Sequence, residues 1–206
     1  MIHKIERDNT GLMAPGQDLV VAGWPGAAGT VLAVKAARRE LEAWFSGSYL
    51  DEIVSGRFKV CLPGREHWQE LGITDAEPMG EGGVLVTIWN LSGAYGLGVE
   101  FVLRDIPLRQ ETIEICERLD LNPYRFYAAG SYLMASPNGG QLVKNLARME
   151  IPAAVVGRVT GGNARAVIHG ETIAYLERPR RDELNNLYDK WRLTASLQTH
   201  SGKTDS

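Results

Sequence analysis

The stretch GWPGAAGT, Gly23 to Thr30, places three glycines three residues apart and closes on a threonine. An apolar run, DLVVA, precedes it, and a long helical pattern, VLAVKAARRELEAWF, follows. A strand that turns through glycine into a helix can hold phosphate. The first helical N–H groups have no partner within the helix, and the helix dipole is positive there. Gly26, Gly29 and Thr30 are therefore candidate phosphate or nucleotide ligands. No lysine precedes the threonine, so this is not a Walker loop. A tight turn that lets a helix lie close to a strand explains the same glycines, and both readings stay open.

A second turn of the same kind, Glu81-Gly82-Gly83, opens the pattern VLVTIWNLSGAYG. Its backbone N–H groups could meet phosphate, and Glu81 could meet magnesium if other ligands joined it. A glutamate is also simply favourable at a helix start. Arg109, in DIPLRQE, could pair a glutamate of the following helix or reach a phosphate, and the pair is the commoner arrangement. Asn138-Gly139-Gly140 reads as a plain strand-to-helix turn, and TGGNAR as a hairpin turn. His67 and His169 show no histidine or carboxylate at metal spacing and read as ordinary surface or turn residues. ERPRRDEL mixes charge signs and reads as a solvated helix start. No hydrolase signature forms around Ser92, Ser131 or Ser136, so no catalytic residue is assigned.

These turns need elements to position them. Strands are expected at 18–22, 98–103, 130–136, 153–159, 164–169 and 172–176, the last three joined as a meander by the GGN and GE turns. Helical spacing runs from Ala27 to about Phe45 and recurs in SYLDEIVSGRFKV, where it breaks near Gly56. It returns in PGREHWQELG, after Gly83, in RQETIEICERLDL, in NGGQLVKNLARMEI and in RDELNNLYDKWRL. The expected fold class is α+β (mixed α/β), a mixed sheet with helices packed on it. One domain is expected at 17–193, after a leader at 1–16 and before a polar, disordered tail at 194–206.

Bulk composition narrows the partners. The 206 residues are 44% hydrophobic, enough for a real core, and the formal charge is -3 from 22 basic and 25 acidic side chains. That balance gives no general pull toward nucleic acid or an anionic membrane. No apolar run reaches the roughly 18 residues of a membrane helix, and the polar start is no secretory signal. Cys61 and Cys116 read as buried free thiols in a cytoplasmic protein.

Read as a series, the segments from Gly16 to about Leu184 resemble the C-terminal domain of the aminoimidazole ribonucleotide (AIR) synthetase superfamily. That group includes selenophosphate synthetase, thiamine-monophosphate kinase and formylglycinamidine ribonucleotide synthetase. The branch most alike is the hydrogenase-maturation one, which makes a cyanide from a thiocarboxamide. PGQDLVVAGWPGAAGT is similar to its opening strand and glycine turn, and GEGGVLVTIWNLSGAYGLGVEF to its glycine-led helix and next strand. IPLRQETIEICERLDLNPYRFYAAGSYLMASPNG is the most specific stretch, and IPAAVVGRVTGGNARAVIHGE resembles the terminal strands. The resemblance implies that the Glu81 turn faces nucleotide phosphates.

The departures limit what carries over. Full-length members have an N-terminal domain with most of the metal-binding aspartates and a dimer barrel, and only a short leader precedes Gly16 here. The branch has a His-Asp pair before its Glu-Gly-Gly, where this chain has Glu77-Pro78-Met79-Gly80. The cyanide-forming protein ends in a cysteine, and this chain has none after Cys116. The expectation is a domain without catalysis by itself, binding phosphate or nucleotide, with magnesium, at Gly26, Gly29, Thr30, Glu81, Gly82 and Gly83. One alternative is half of a split ATP-dependent enzyme completed by a separate N-terminal chain, and another is a structural interaction module. Exposed apolar surface left by a missing domain favours a homodimer.

Overall fold

The structure is a computed structural model that describes residues 13–56, 58–179 and 181–189. Seven strands form one mixed sheet: β1 (Asp18–Ala22), β2 (Asp75–Pro78), β3 (Gly98–Phe101), β4 (Tyr132–Ser136), β5 (Ala153–Thr160), β6 (Arg165–His169) and β7 (Thr172–Tyr175). The helices are α1 (Ala27–Leu41), α2 (Gly47–Ser55), α3 (Trp68–Leu71), α4 (Gly83–Tyr95), α5 (Gln110–Leu119) and α6 (Gly139–Ala147), with a last one, α7, at 183–189. Short 3-10 turns precede α3, follow β3 and cover Pro123–Arg125.

Alternation along β1 sets the layers. Leu19 and Val21 point into a cluster with Val84, Leu85, Ile88 and Leu91 of α4. Val20 and Ala22 point the other way, to Leu142 and Leu146 of α6. Successive strand side chains face opposite sides, so β1 is buried on both. A third cluster joins α1, α2, α5 and α7 around Phe126, through Val34, Leu41, Leu50, Ile115, Leu184 and Leu187. Met13 and Gly16 are docked on the domain: Met13 is in the α4 cluster and the Gly16 N–H donates to Val159.

The sheet order is β2-β4-β1-β5-β3-β6-β7. The expected meander is therefore wrong at its first turn. β3 lies between β5 and β6, antiparallel to β5 and parallel to β6, so TGGNAR is no hairpin. The turn instead passes over the start of β3, where a Cβ on Gly98 would meet Thr160 Oγ1 at 2.6 Å and Ala164 O at 2.8 Å. Only glycine lets two backbones approach this closely. The β6–β7 hairpin is as expected, with His169 facing Thr172.

β2 has no counterpart among the expected strands. Its sequence, DAEP, carries two acids and a proline, which suit only a sheet edge, and it lies at one, against β4. Cys61 also differs from expectation: it is exposed, in the irregular chain before α3, while Cys116 is buried and free. Among the described residues, no helix is long and apolar enough to cross a membrane.

Candidate functional site

The two glycine turns converge on one loop, residues 123–128. Gly83, at φ 62°, comes so close that a Cβ there would lie 2.7 Å from the carbonyl oxygens of Tyr124 and Phe126. Gly29 is pressed on the same loop from the α1 side, its Cβ position 2.9 Å from the Phe126 ring and from Tyr127 O. Gly26, at φ 81°, forms the start of α1 in a left-handed conformation and faces Thr112 and Pro123. Gly26, Gly29, Gly82 and Gly83 are all buried, and Glu81 is exposed.

At the start of α1 the protein's own carbonyls take the N–H groups. Ala27 donates to Trp24 O at 3.1 Å, Gly29 to Tyr127 O at 2.9 Å and Thr30 to Gly26 O at 2.8 Å. Thr30 is 2% exposed, and its hydroxyl also faces inward, donating to Gly26 O at 2.9 Å and pairing with Thr112 Oγ1 at 3.0 Å. The α1 turn holds helix, loop and α5 together.

The start of α4 is arranged differently. Gly82 takes a left-handed conformation at φ 77°, and its N–H points at a carboxylate, Asp182 Oδ2, 2.5 Å away. The same side chain accepts from the Leu184 N–H at 2.8 Å, and the backbone N–H of Tyr127 is near enough to favour its charged form. Asp182 thus caps α7 while lying at the positive end of α4. It is 3% exposed, so ERPRRDEL is not wholly the solvated segment expected. Burial raises the Asp182 carboxyl above the ordinary carboxylate range; the three N–H groups oppose this, and nearby Glu81 adds to it. Its neighbour Arg181 is exposed and pairs with Asp189 at 2.7 Å.

Arg109 makes the helix-start pair. Its guanidinium meets Glu111 through Nε and Nη2, and lies 5.0 Å from the Phe58 ring centre and 5.8 Å from that of Trp24. That contact holds the Glu111 carboxyl below its usual range. His67 does have carboxylates beside it, Glu66 at 3.7 Å and Glu70 at 3.8 Å, contrary to expectation, but all three are exposed. Among the described residues no group of three or more His, Cys, Asp or Glu could hold a metal ion. Ser131 lies beside Gly23 and Ser136 caps the turn before α6 by accepting from Asn138 N–H.

The family profile described as "AIR synthase related protein, C-terminal domain" matches residues 65–170, from the turn before α3 to the β6–β7 turn. The chain belongs to that family. This AIR synthase-related domain shares its fold with E. coli HypE, a hydrogenase maturation protein, at TM-score 0.65 and 18% identity. The match covers 87% of this chain and 55% of that one, so the domain spans little more than half the length of that relative. A HypE–HypF complex matches at TM-score 0.63 and 18% identity over 83% of this chain and 56% of the other. HypE in complex with ATP matches at TM-score 0.60 and 15% identity, covering 84% and 53%. At these identities the likeness is one of fold. No curated protein sequence matches the domain.

Proposed function

We propose that this cytoplasmic AIR synthase-related domain does no chemistry by itself and binds a phosphate, free or carried on a nucleotide, at the start of α4. The observation that carries this is the Asp182 carboxylate on the Gly82 N–H. An oxyanion of the chain's own occupies a glycine turn at a positive helix end, the environment that suits phosphate. A ligand there exchanges with Asp182 and is received by the Gly82 N–H, beside the Gly83 turn and the backbone of Tyr127. Gly26, Gly29 and Thr30 contribute from behind, by fixing the loop that carries Tyr127. The ATP held by a HypE supports a nucleotide as the carrier. Glu81 alone gives magnesium one ligand where the ion takes six, so magnesium arrives on the nucleotide or not at all.

The test is a phosphate and ATP titration, with and without magnesium, of wild type and Asp182→Ala by thermal shift. Asp182→Ala vacates the turn and melts lower, and phosphate restores part of that loss. A ligand at 100 times its Kd adds about 2.7 kcal/mol. If phosphate raises the two melting temperatures equally, the turn is not its site.

A second reading follows from the 55% coverage of HypE. The domain is one half of an ATP-dependent enzyme, and a separate N-terminal chain completes it. Magnesium-dependent ATP turnover that arises only on mixing the two chains is its signature. In either reading the domain alone forms a homodimer.

A further inference from the structure

We infer that α7 is a latch: phosphate arriving at the α4 turn releases it from the domain and uncovers Cys116. This rests on the phosphate reading above and names how that site is regulated. One carboxylate joins the two places. Asp182 Oδ2 takes the Gly82 N–H at the start of α4, and Asp182 Oδ1 takes the Leu184 N–H at the start of α7. The Asp182 carbonyl also accepts from the Asn185 N–H at 3.1 Å, so its backbone is part of the first turn of α7. The anion that fills the α4 turn is thus the cap of another helix.

Phosphate cannot share that N–H with the carboxylate, because two anions would then meet in a buried site. Asp182 has nowhere else to place its charge. It is 3% exposed, its side chain is short, and turning it from Gly82 also breaks the bond to Leu184. Displacing the carboxylate therefore moves the backbone of residue 182 and the first turn of α7 with it. α7, described over 183–189, depends on this cap and on the leucines it buries, because a helix of that length does not hold itself together in water. The Arg181–Asp189 pair is exposed and adds little.

The buried side of α7 completes a cluster. Leu184 and Leu187 pack with Ile115, Cys116 and Leu119 of α5 and with Phe126. Cys116 is 1% exposed there, and Glu183 is close enough for its charge to help keep the thiol neutral. Phe126 also belongs to the loop on which Gly83 is pressed, so the α4 turn and the α7 cover share one loop. Coupling between two sites is reciprocal. Phosphate loosens α7, and a loosened α7 admits phosphate more readily. Only the fraction with α7 released binds, so the apparent Kd falls as that fraction grows.

The experiment uses the full chain with Cys61→Ser, which leaves Cys116 as its one thiol. The rate at which Cys116 reacts with a thiol reagent is followed in native buffer as inorganic phosphate is titrated, with chloride at equal ionic strength as control. Phosphate raises that rate about tenfold, over the same concentrations at which it shifts Tm, and chloride does not. Asp182→Ala reacts fast without phosphate and gains nothing from it. Leu187→Ala loosens α7 without touching the turn, and its phosphate midpoint falls severalfold. The phosphate arm uses no substitution at the latch, so it decides even where a variant fails to fold. Phosphate that shifts Tm while Cys116 stays shielded overturns the latch and leaves the site standing. Phosphate that shifts the Tm of neither wild type nor Asp182→Ala overturns the phosphate reading and the latch with it.

Discussion

Replacing Gly83 with alanine separates a packing glycine from an ordinary turn residue. At φ 62° the backbone is left-handed, and an L residue there costs about 1–2 kcal/mol. The new methyl would lie 2.7 Å from Tyr124 O and Phe126 O and 3.0 Å from Phe126 N. All three are backbone atoms of one loop, so no side chain can swing aside. Either the loop or the start of α4 must move, and overpacking of this kind costs typically about 1–3 kcal/mol. Together the loss is about 2–5 kcal/mol, a drop of roughly 5–20 °C in Tm for a chain of this size. The assay is thermal denaturation followed by circular dichroism in phosphate-free buffer, beside Gly140→Ala. Gly140 is exposed in the first turn of α6, with nothing nearer its Cβ position than Asn138 Oδ1 at 3.7 Å. Alanine there leaves Tm unchanged or raises it slightly, because it restricts the unfolded chain. If Gly83→Ala melts with wild type, the loop is not seated on α4 and the convergence of the two turns fails as an explanation.

Two further measurements test the interior. Cys61 reacts with a thiol reagent in the folded protein, whereas Cys116, 1% exposed and pushed up to about 12 by burial, reacts only in denaturant; two fast thiols in native protein would refute this packing. Asp182 is protonated more readily folded than unfolded. Its contribution is therefore full below the ordinary carboxylate pKa of about 3.9 and falls as pH climbs through the raised value. The stability difference between wild type and Asp182→Asn, from urea unfolding at pH 4 and pH 7, shifts against wild type at pH 7; a difference flat with pH would show that Asp182 is not buried.

Local chemistry made much of this architecture legible. β1 and α1 follow from an apolar run, a glycine turn and helical spacing, and α5 from its periodicity before Asn122-Pro123. β2 was hidden because a sheet edge tolerates DAEP without asking for β-branched residues. The β5–β6 turn was misread because a glycine-rich connection looks alike whether it closes a hairpin or passes over another strand. The decisive clue was Gly98, which reads as a strand start and gives no sign of the backbone above it. At the site, the glycines declared close approach but not to what. Asp182 lay inside ERPRRDEL, whose mixed charges read only as a solvated helix start. The contact of Asp182 with Gly82 joins positions 100 residues apart. Nothing local encodes such a pairing.

The position of β1 has a consequence for synthesis. Of the described strands it is made before the others, yet its neighbours in the sheet are β4 and β5. A ribosome adds about 5–20 residues per second, so DLVVA waits on the order of ten seconds for Ser136 to emerge, and longer for β5. Through that interval an apolar strand that ends up buried on both faces has neither edge paired, and the contacts that could shield it are not yet in existence. Slow closure of distant strands exposes such chains to association with their own kind. The central strand that later holds both helical layers together is thus the segment for which a nascent chain most needs a chaperone.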